Sequence, residues 1–147
     1  MAALELGQYI PYLLYRVSRR LNGQLREDMR REAVTLHRWR IVAVLSAHDG
    51  CSLSELAQYT VKEQSVISRV ADQMVKDGFV RREADANDRR VVRLWLTERG
   101  RKLFGRLFPV AQGHHRRATQ GLSTDEQKTL VRLLHKMLDG IGEEAYR

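Results

Sequence analysis

The chain has 147 residues, a formal net charge of +8 at neutral pH and an isoelectric point of about 10.1. This length predicts one compact protomer, and a hydrophobic content of 43% is too high for a disordered chain. The basic balance favours a polyanionic partner, a description that fits both nucleic acid and a membrane surface.

Membrane insertion, secretion and disulfide bonding are not indicated. No apolar run approaches the roughly 20 residues of a membrane-spanning helix, and no charged segment followed by an apolar one marks a secretory signal. Cys51 is the only cysteine, so an intramolecular disulfide is impossible and we expect a cytoplasmic protein. We interpret Cys51 as a structural or incidental thiol in preference to an oxidant sensor, because no second cysteine is present to resolve it.

The first predicted element is a long helix that follows a short lead-in and ends near residue 31. Pro11 suits its first turn, where the missing N–H costs little. Apolar residues recur at helical spacing in one stripe: Leu13, Leu14, Val17, Leu21, Leu25 and Met29. Such a stripe on a terminal helix must be buried, and we expect a partner subunit to cover it.

Two shorter helices come next. Thr35 is placed to cap a helix from Leu36 to about His48, whose apolar residues cover a wide arc and predict burial on more than one side. Ser52 and Glu55 have capping-box spacing, so a short helix begins there.

The helix at the centre of the chain has two chemically different faces. Its apolar residues share one stripe: Ile67, Val70, Ala71 and Met74. Its polar residues fall opposite: Gln64, Ser65, Ser68 and Arg69. Short polar side chains of this kind suit the base edges of a DNA major groove, which admits a helix. Considered alone, the pattern fits an ordinary solvated face equally well.

A two-stranded hairpin is predicted after Gly78, which is expected to supply a left-handed helix cap. The first strand begins at Phe79, and Val92, Leu94 and Leu96 alternate with their neighbours in the second. Beside a reading helix such a hairpin would be a wing, whose arginines contact a minor groove or phosphates. A charged hairpin exposed to solvent is the simpler alternative.

The connection between these strands, Ala84–Arg90, is turn-forming and charged. We predict that Asp88 pairs with Arg90 and fixes the tip, because a carboxylate would not face phosphate directly. Arg89 would then reach DNA, although the two arginines could exchange roles.

Two more helices complete the chain. Thr97 is expected to cap a long helix that Pro109 kinks, and a capping box at Ser123 opens the last helix. Three histidines are interpreted as surface residues and not as metal ligands, because no acid or cysteine completes a tetrahedral set: His114, His115 and His135.

Five motifs in this order resemble the DNA-binding core of the MarR family of winged-helix regulators: Ser54–Ala57, Gln64–Val70, Gly78–Arg82, Asp85–Arg90 and Leu94–Gly100. The resemblance implies a mainly α fold with a minor β component, made of six helices and a two-stranded wing. It also implies an N-terminal dimerisation helix (1–34), a winged helix-turn-helix domain (35–97) and C-terminal dimerisation helices (98–147). The chain departs from the family at residues 61–63, where relatives usually have a Ser, Thr or Asp cap.

The resemblance implies a homodimeric transcription regulator, in particular a repressor that a small ligand releases from DNA. A two-fold dimer places its reading helices roughly 34 Å apart, so the expected site is an inverted repeat in double-stranded DNA. No enzyme activity and no cofactor are expected, because no recognisable catalytic pair or phosphate loop occurs. The alternative function is a winged-helix module that binds protein or RNA without specific DNA binding.

The family also implies a small aromatic or amphipathic anion as ligand, bound between the dimer helices and the winged module. Aromatic and cationic residues in that part of the chain are the candidates: Tyr12, Arg16, His37, Trp39 and Arg40. The alternative interpretation is that Trp39 belongs to the core and His37 to the surface.

Overall fold

The computed structural model describes residues 4–143, which form six helices and one two-stranded antiparallel sheet. The elements are α1 (Ile10–Arg31), α2 (Leu36–Ala47), α3 (Leu53–Tyr59), α4 (Gln64–Lys76), β1 (Val80–Ala84), β2 (Val92–Leu96), α5 (Glu98–Thr119) and α6 (Thr124–Gly140). This order and the mainly helical class confirm the fold predicted from the sequence. Within these residues no helix is sufficiently long and apolar to cross a lipid bilayer.

The predicted helix caps are confirmed at four positions. The hydroxyl oxygens of Thr35, Ser52, Thr97 and Ser123 each accept a hydrogen bond from the backbone N–H three residues later, at 3.1–3.3 Å. After Ser52 and Ser123, the glutamate at that third position accepts the N–H of the serine in return, at 2.7 Å. These bonds satisfy amide groups that a helix start leaves unpaired, so the boundaries are set locally by the sequence.

The core lies within the winged helix-turn-helix, where α2 occupies the centre. Residues of α2 are buried on several sides of the helix, which confirms the wide apolar arc read from the sequence. Side chains from α2, α3, α4 and the hairpin meet here without measurable exposure: Ile41, Val42, Leu45, Leu56, Ile67, Ala71, Met74 and Leu94. The alternation in β2 is confirmed, because Leu94 and Leu96 point into this core.

The turn between α3 and α4 has an unusual backbone conformation. Val61 has φ +52°, in the left-handed region that a β-branched residue rarely adopts. The turn is held by two backbone bonds, from Val61 N–H to the Gln58 oxygen at 3.0 Å and from Lys62 N–H to the Ala57 oxygen at 3.1 Å. Glu63 then starts α4 without a side-chain cap, as the departure from the family pattern predicted.

The chain divides into two compact units, residues 1–111 and 112–147. The apolar stripe predicted along α1 is exposed at Leu13, Leu14 and Val17, half-buried at Leu21 and Leu25, and buried at Met29. Helix α6 has no buried residue, although Leu130, Leu133 and Met137 recur at helical spacing. Helix α5 continues through Pro109.

Replacing Val61 with glycine should stabilise the protein. The side chain is 73% exposed, so little burial is lost, while the left-handed strain of about 1–2 kcal/mol is relieved. Because glycine also has a more flexible unfolded state, the net gain should be about 1 kcal/mol. Chemical denaturation measures it. Val61→Ala keeps a Cβ and should gain less, and a loss of stability with Val61→Gly would contradict the strain.

Candidate nucleic-acid interface

Helix α4 turns its polar face away from the core. Burial of Ile67, Ala71 and Met74 fixes its rotation, which leaves the four residues predicted to read DNA on the outer side. Of these, Gln64, Ser65 and Arg69 are exposed and Ser68 is half-buried. None of the four side chains forms a hydrogen bond or ion pair with another residue of the range 4–143. Their donors and acceptors are therefore available to an external partner.

The wing is organised by Asp85, the first residue after β1. Its carboxylate accepts hydrogen bonds from the N–H groups of Asn87 at 2.8 Å and Asp88 at 3.1 Å, and forms an ion pair with Arg93. The Arg93 guanidinium, followed by those two N–H groups, lowers the pKa of Asp85 to about 2. Arg93 also donates to the Gly50 carbonyl at 2.9 Å. The tip is thus bonded to the segment that follows α2.

The sequence interpretation placed Asp85 and Arg93 in the hairpin but missed their ion pair and the role of that pair in holding the tip. An Asp whose carboxylate accepts the backbone N–H groups two and three residues later is typical of an Asx turn. The turn at Asp85 could therefore have been predicted from the sequence. The role of Arg93 depends on the hairpin register, which pairs Glu83 with Arg93 and Ala84 with Val92.

At the tip, the side chains of Asp88 and Arg90 form the expected pair. The carboxylate accepts from the Arg90 Nε–H at 3.1 Å and from the Arg90 backbone N–H at 3.1 Å, and these bonds lower its pKa. Arg89 is exposed and has no ion pair with any residue between Leu4 and Glu143. The wing therefore presents one uncompensated guanidinium, and its contact with DNA stays a prediction.

The second strand of the wing, β2, is hydrogen-bonded to the residues between α2 and α3. The Gly50 N–H donates to the Leu94 oxygen at 2.8 Å, and the Leu94 N–H to the Cys51 oxygen at 3.0 Å. Asp49 accepts the Leu96 N–H at 2.8 Å. Gly50 has φ +82°, and a Cβ there would lie 2.5 Å from the Trp95 ring. Because β2 is bonded to this segment and β1 packs against α4, the wing and α4 belong to one compact unit.

The predicted ligand residues are brought together only in part. His37 and Arg40 line a cavity of about 440 Å³, and Trp39 and Arg40 line another of about 460 Å³. Tyr12 and Arg16 line neither; the Arg16 guanidinium lies 5.8 Å from the centre of the Tyr12 ring near the start of α1. The sequence interpretation missed Lys62, which lines both cavities.

Trp39 and His37 have different surroundings. Trp39 is only 8% exposed and stacks on Phe104 with 6.1 Å between ring centres, so most of its surface belongs to the core. His37 is half-buried, and its Nδ1 has no hydrogen-bond partner in the part of the chain that the structure describes. Burial, then Lys62 and Arg40, lower the pKa of His37.

The cysteine and the histidines support no separate site. Cys51 is 7% exposed, and burial, more than any neighbouring charge, raises the pKa of its thiol to about 11. A thiol in this state is mostly protonated and poorly reactive, as the structural interpretation predicted. Among residues 4–143 no three His, Cys, Asp or Glu side chains are grouped to hold a metal.

Comparison with known proteins identifies the family. The MarR family model matches residues 34–92. The crystal structure of a MarR family transcriptional regulator from Silicibacter pomeroyi is 37% identical, with a TM-score of 0.86 over 95% of this chain and 97% of that one. The chain belongs to the MarR family. Its members are transcription factors and not enzymes, which agrees with the sequence interpretation.

Two other relatives carry functional descriptions. The transcriptional repressor IacR of Pseudomonas putida is 26% identical over 123 residues, which cover 84% of this chain and 74% of that protein. A mutant of MarR from E. coli, solved in complex with operator DNA, is 25% identical with a TM-score of 0.77, over 92% of this chain and 99% of that one. Each description applies to the named relative itself.

Removing the Asp85 carboxylate should loosen the wing while leaving the core intact. Asp85→Ala deprives two tip amides of their acceptor and frees Arg93. We expect the amides of Asn87 and Asp88 to exchange with solvent about fivefold faster, since loss of one such bond weakens local structure by about 1 kcal/mol. Hydrogen exchange followed by NMR measures this.

Asp88→Ala is the control, because it removes a tip carboxylate without touching those two bonds. The Asp85 contribution should also depend on pH. Its pKa in the folded state lies below the unfolded value, so the stabilisation is complete above about pH 4 and is lost as pH falls towards 2. An Asp85 carboxyl that titrates near pH 4 in the folded protein would contradict the ion pair.

Proposed function

We propose that this MarR-family transcriptional regulator is a homodimeric repressor that binds an inverted-repeat operator. The observation that carries the proposal is that α4 and the wing present unengaged polar and cationic side chains on one compact unit. In this arrangement Gln64, Ser65, Ser68 and Arg69 read base edges in the major groove. Arg89 contacts the minor groove or a phosphate, and the Asp88–Arg90 pair shapes the tip.

Repression is proposed from the relatives. IacR is named a repressor, and the E. coli protein was solved bound to operator DNA. A net charge of +8 supports a nucleic-acid partner. The alternative, a winged-helix module for protein or RNA, would show binding that depends on salt and ignores DNA sequence.

Dimerisation is proposed from the uncovered apolar faces of α1 and α6. Leu13, Leu14 and Val17 on α1, and Leu130 and Leu133 on α6, are large hydrophobic side chains exposed to solvent in the single chain. A soluble monomer rarely leaves contiguous apolar patches of this kind uncovered. We therefore assign residues 1–34 and 98–147 to dimerisation and residues 35–97 to DNA binding.

The ligand is proposed to be a small aromatic or amphipathic anion, such as an aromatic acid or its thioester. Trp39 supplies an aromatic wall, and His37 and Arg40 supply polar and cationic groups. Release from DNA follows if the ligand binds better to a dimer whose reading helices are misspaced, because a ligand shifts an equilibrium only by differential affinity.

Specific operator binding is tested with two duplexes of equal length, an inverted repeat from the promoter of the gene itself and a scrambled sequence. The repeat should bind about 10³-fold more tightly or better. Arg69→Ala should reduce this preference, whereas Arg89→Ala should weaken both duplexes and lower the salt dependence by about one counterion. Fluorescence anisotropy across a salt series gives both quantities.

Lys128→Ala is the matched control, since it removes one exposed positive charge from α6, outside the winged module. Equal affinity for both duplexes would favour the interaction module. An unchanged affinity and salt slope for Arg89→Ala would exclude that arginine from the interface.

Leu133→Glu should shift the dimer towards monomer. Leu133 is 44% exposed in the single chain, and burying such a side chain contributes about 1.5–3 kcal/mol. A two-fold interface contains two copies of Leu133, so the substitution removes this free energy twice. The dimer dissociation constant should therefore rise by about 100-fold or more. Sedimentation equilibrium measures the constant. Lys136→Glu places the same carboxylate at a polar position of α6 and should change the dissociation constant little. An equal rise of the dissociation constant in both variants would argue against an α6 interface.

A further inference from the structure

The cavity of about 440 Å³ has an unusually one-sided charge. It is lined by Arg26 and Arg30 of α1, the α1–α2 turn, the first turn of α2 with His37 and Arg40, and Lys62 of the α3–α4 turn. No carboxylate from the described part of the chain lines it. A concave site with several cations and no acid is suited to anions.

Most of this positive charge is not neutralised. Arg30 is paired with Glu27 at 2.9 Å, but Arg26 and Lys62 have no ion pair with residues 4–143. Among the residues that the structure describes, Arg40 donates only to the neutral Asn22 amide, at 2.8 Å. The first turn of α2 adds the partial positive charge of a helix start. The cations therefore repel one another, and a single carboxylate of a ligand would compensate only one of them.

His37 adds a hydrogen-bonding group to the same cavity. Its Nδ1 is buried without a partner in the described residues, and a buried polar atom without a partner is costly. An anionic oxygen in the cavity would provide the missing partner.

The second cavity, of about 460 Å³, adjoins the first, since Arg40 and Lys62 line both. It has a different chemistry, with Trp39, Val44 and Tyr59 among its lining residues. One ligand with an aromatic body and a strongly anionic head would occupy both, with the head at the shared cations.

We propose that the cleft binds an aromatic phosphate ester, with the doubly charged phosphate held by Arg26, Arg40, Lys62 and His37 and the ring against Trp39. This deepens the proposed function and rests on it, because it specifies the charge and class of the effector. Lys62 lies two residues before α4, in the turn strained at Val61. A phosphate bound by Lys62 therefore acts on the turn that positions the reading helix.

The test uses three probes at constant ionic strength: phenyl phosphate, benzoate and inorganic phosphate. Isothermal titration calorimetry measures their binding to the DNA-free protein, to Arg26→Gln and to Lys62→Gln. Arg20→Gln is the matched control, because it removes an α1 arginine that does not line the cavity. Phenyl phosphate should bind saturably and about tenfold or more tightly than benzoate, because two charges meet the cations.

Arg26→Gln and Lys62→Gln should each weaken phenyl phosphate about tenfold, and Arg20→Gln should leave it unchanged. The ligand-free melting temperatures of the first two variants should equal or exceed that of the wild type, because a repulsion is relieved; a merely structural role would lower them. The phosphate site would be overturned if phenyl phosphate did not bind saturably or bound no more tightly than benzoate. It would also be overturned if Arg20→Gln lost as much affinity for phenyl phosphate as the two cavity variants. Inorganic phosphate binding as tight as phenyl phosphate would overturn the role of the ring.

The same experiment separates this inference from the proposed function, because calorimetry requires no DNA. Operator preference of the ligand-free wild type is measured independently by anisotropy. A protein that prefers its operator but does not bind phenyl phosphate disproves only the effector class. A protein that binds phenyl phosphate but ignores every inverted repeat disproves the repressor function and leaves the site standing.

Discussion

Burial of one face of α4 is the constraint on which the rest of the interface depends. Ile67, Ala71 and Met74 are removed from solvent completely, and together this burial contributes several kcal/mol. A rotation of the helix by even a quarter turn would expose them, so its orientation is fixed by the core. The polar face is consequently presented without requiring any polar contact to hold it, which leaves its hydrogen-bonding groups free for a partner.

The wing is stabilised by a different kind of interaction. Its small sheet has only two strands, and an isolated hairpin is marginally stable in water. Here Arg93 bonds both the Asp85 carboxylate and the Gly50 carbonyl, and the backbone of Leu94 pairs with the segment after α2. The hairpin thereby becomes part of the same compact unit as α4.

The features that depend on local sequence were predictable. Those that depend on contacts between residues far apart in the sequence were not. Capping by Ser52 or Thr97 involves residues three positions apart, and the α4 stripe repeats within one helix, so both follow from spacing alone. The bond from Arg93 to Gly50 joins residues 43 positions apart and requires the hairpin register. Likewise Arg26 and Lys62 belong to separate elements, and nothing in their own neighbourhoods indicates that they line one cavity. Tyr12 and Arg16 have side chains suited to binding an aromatic anion. They nevertheless line neither of the two cavities to which His37 and Arg40 contribute.

The placement of the two tryptophans gives this protein two intrinsic optical reporters. Trp95 lies in the wing, where Arg81 lies 5.6 Å from the centre of its ring, and Trp39 borders the aromatic cavity. Their emission would therefore report different events, since a partner at the hairpin would perturb one indole and an occupant of the cleft would perturb the other. A variant that keeps a single tryptophan would let spectroscopy follow either event in the unlabelled chain.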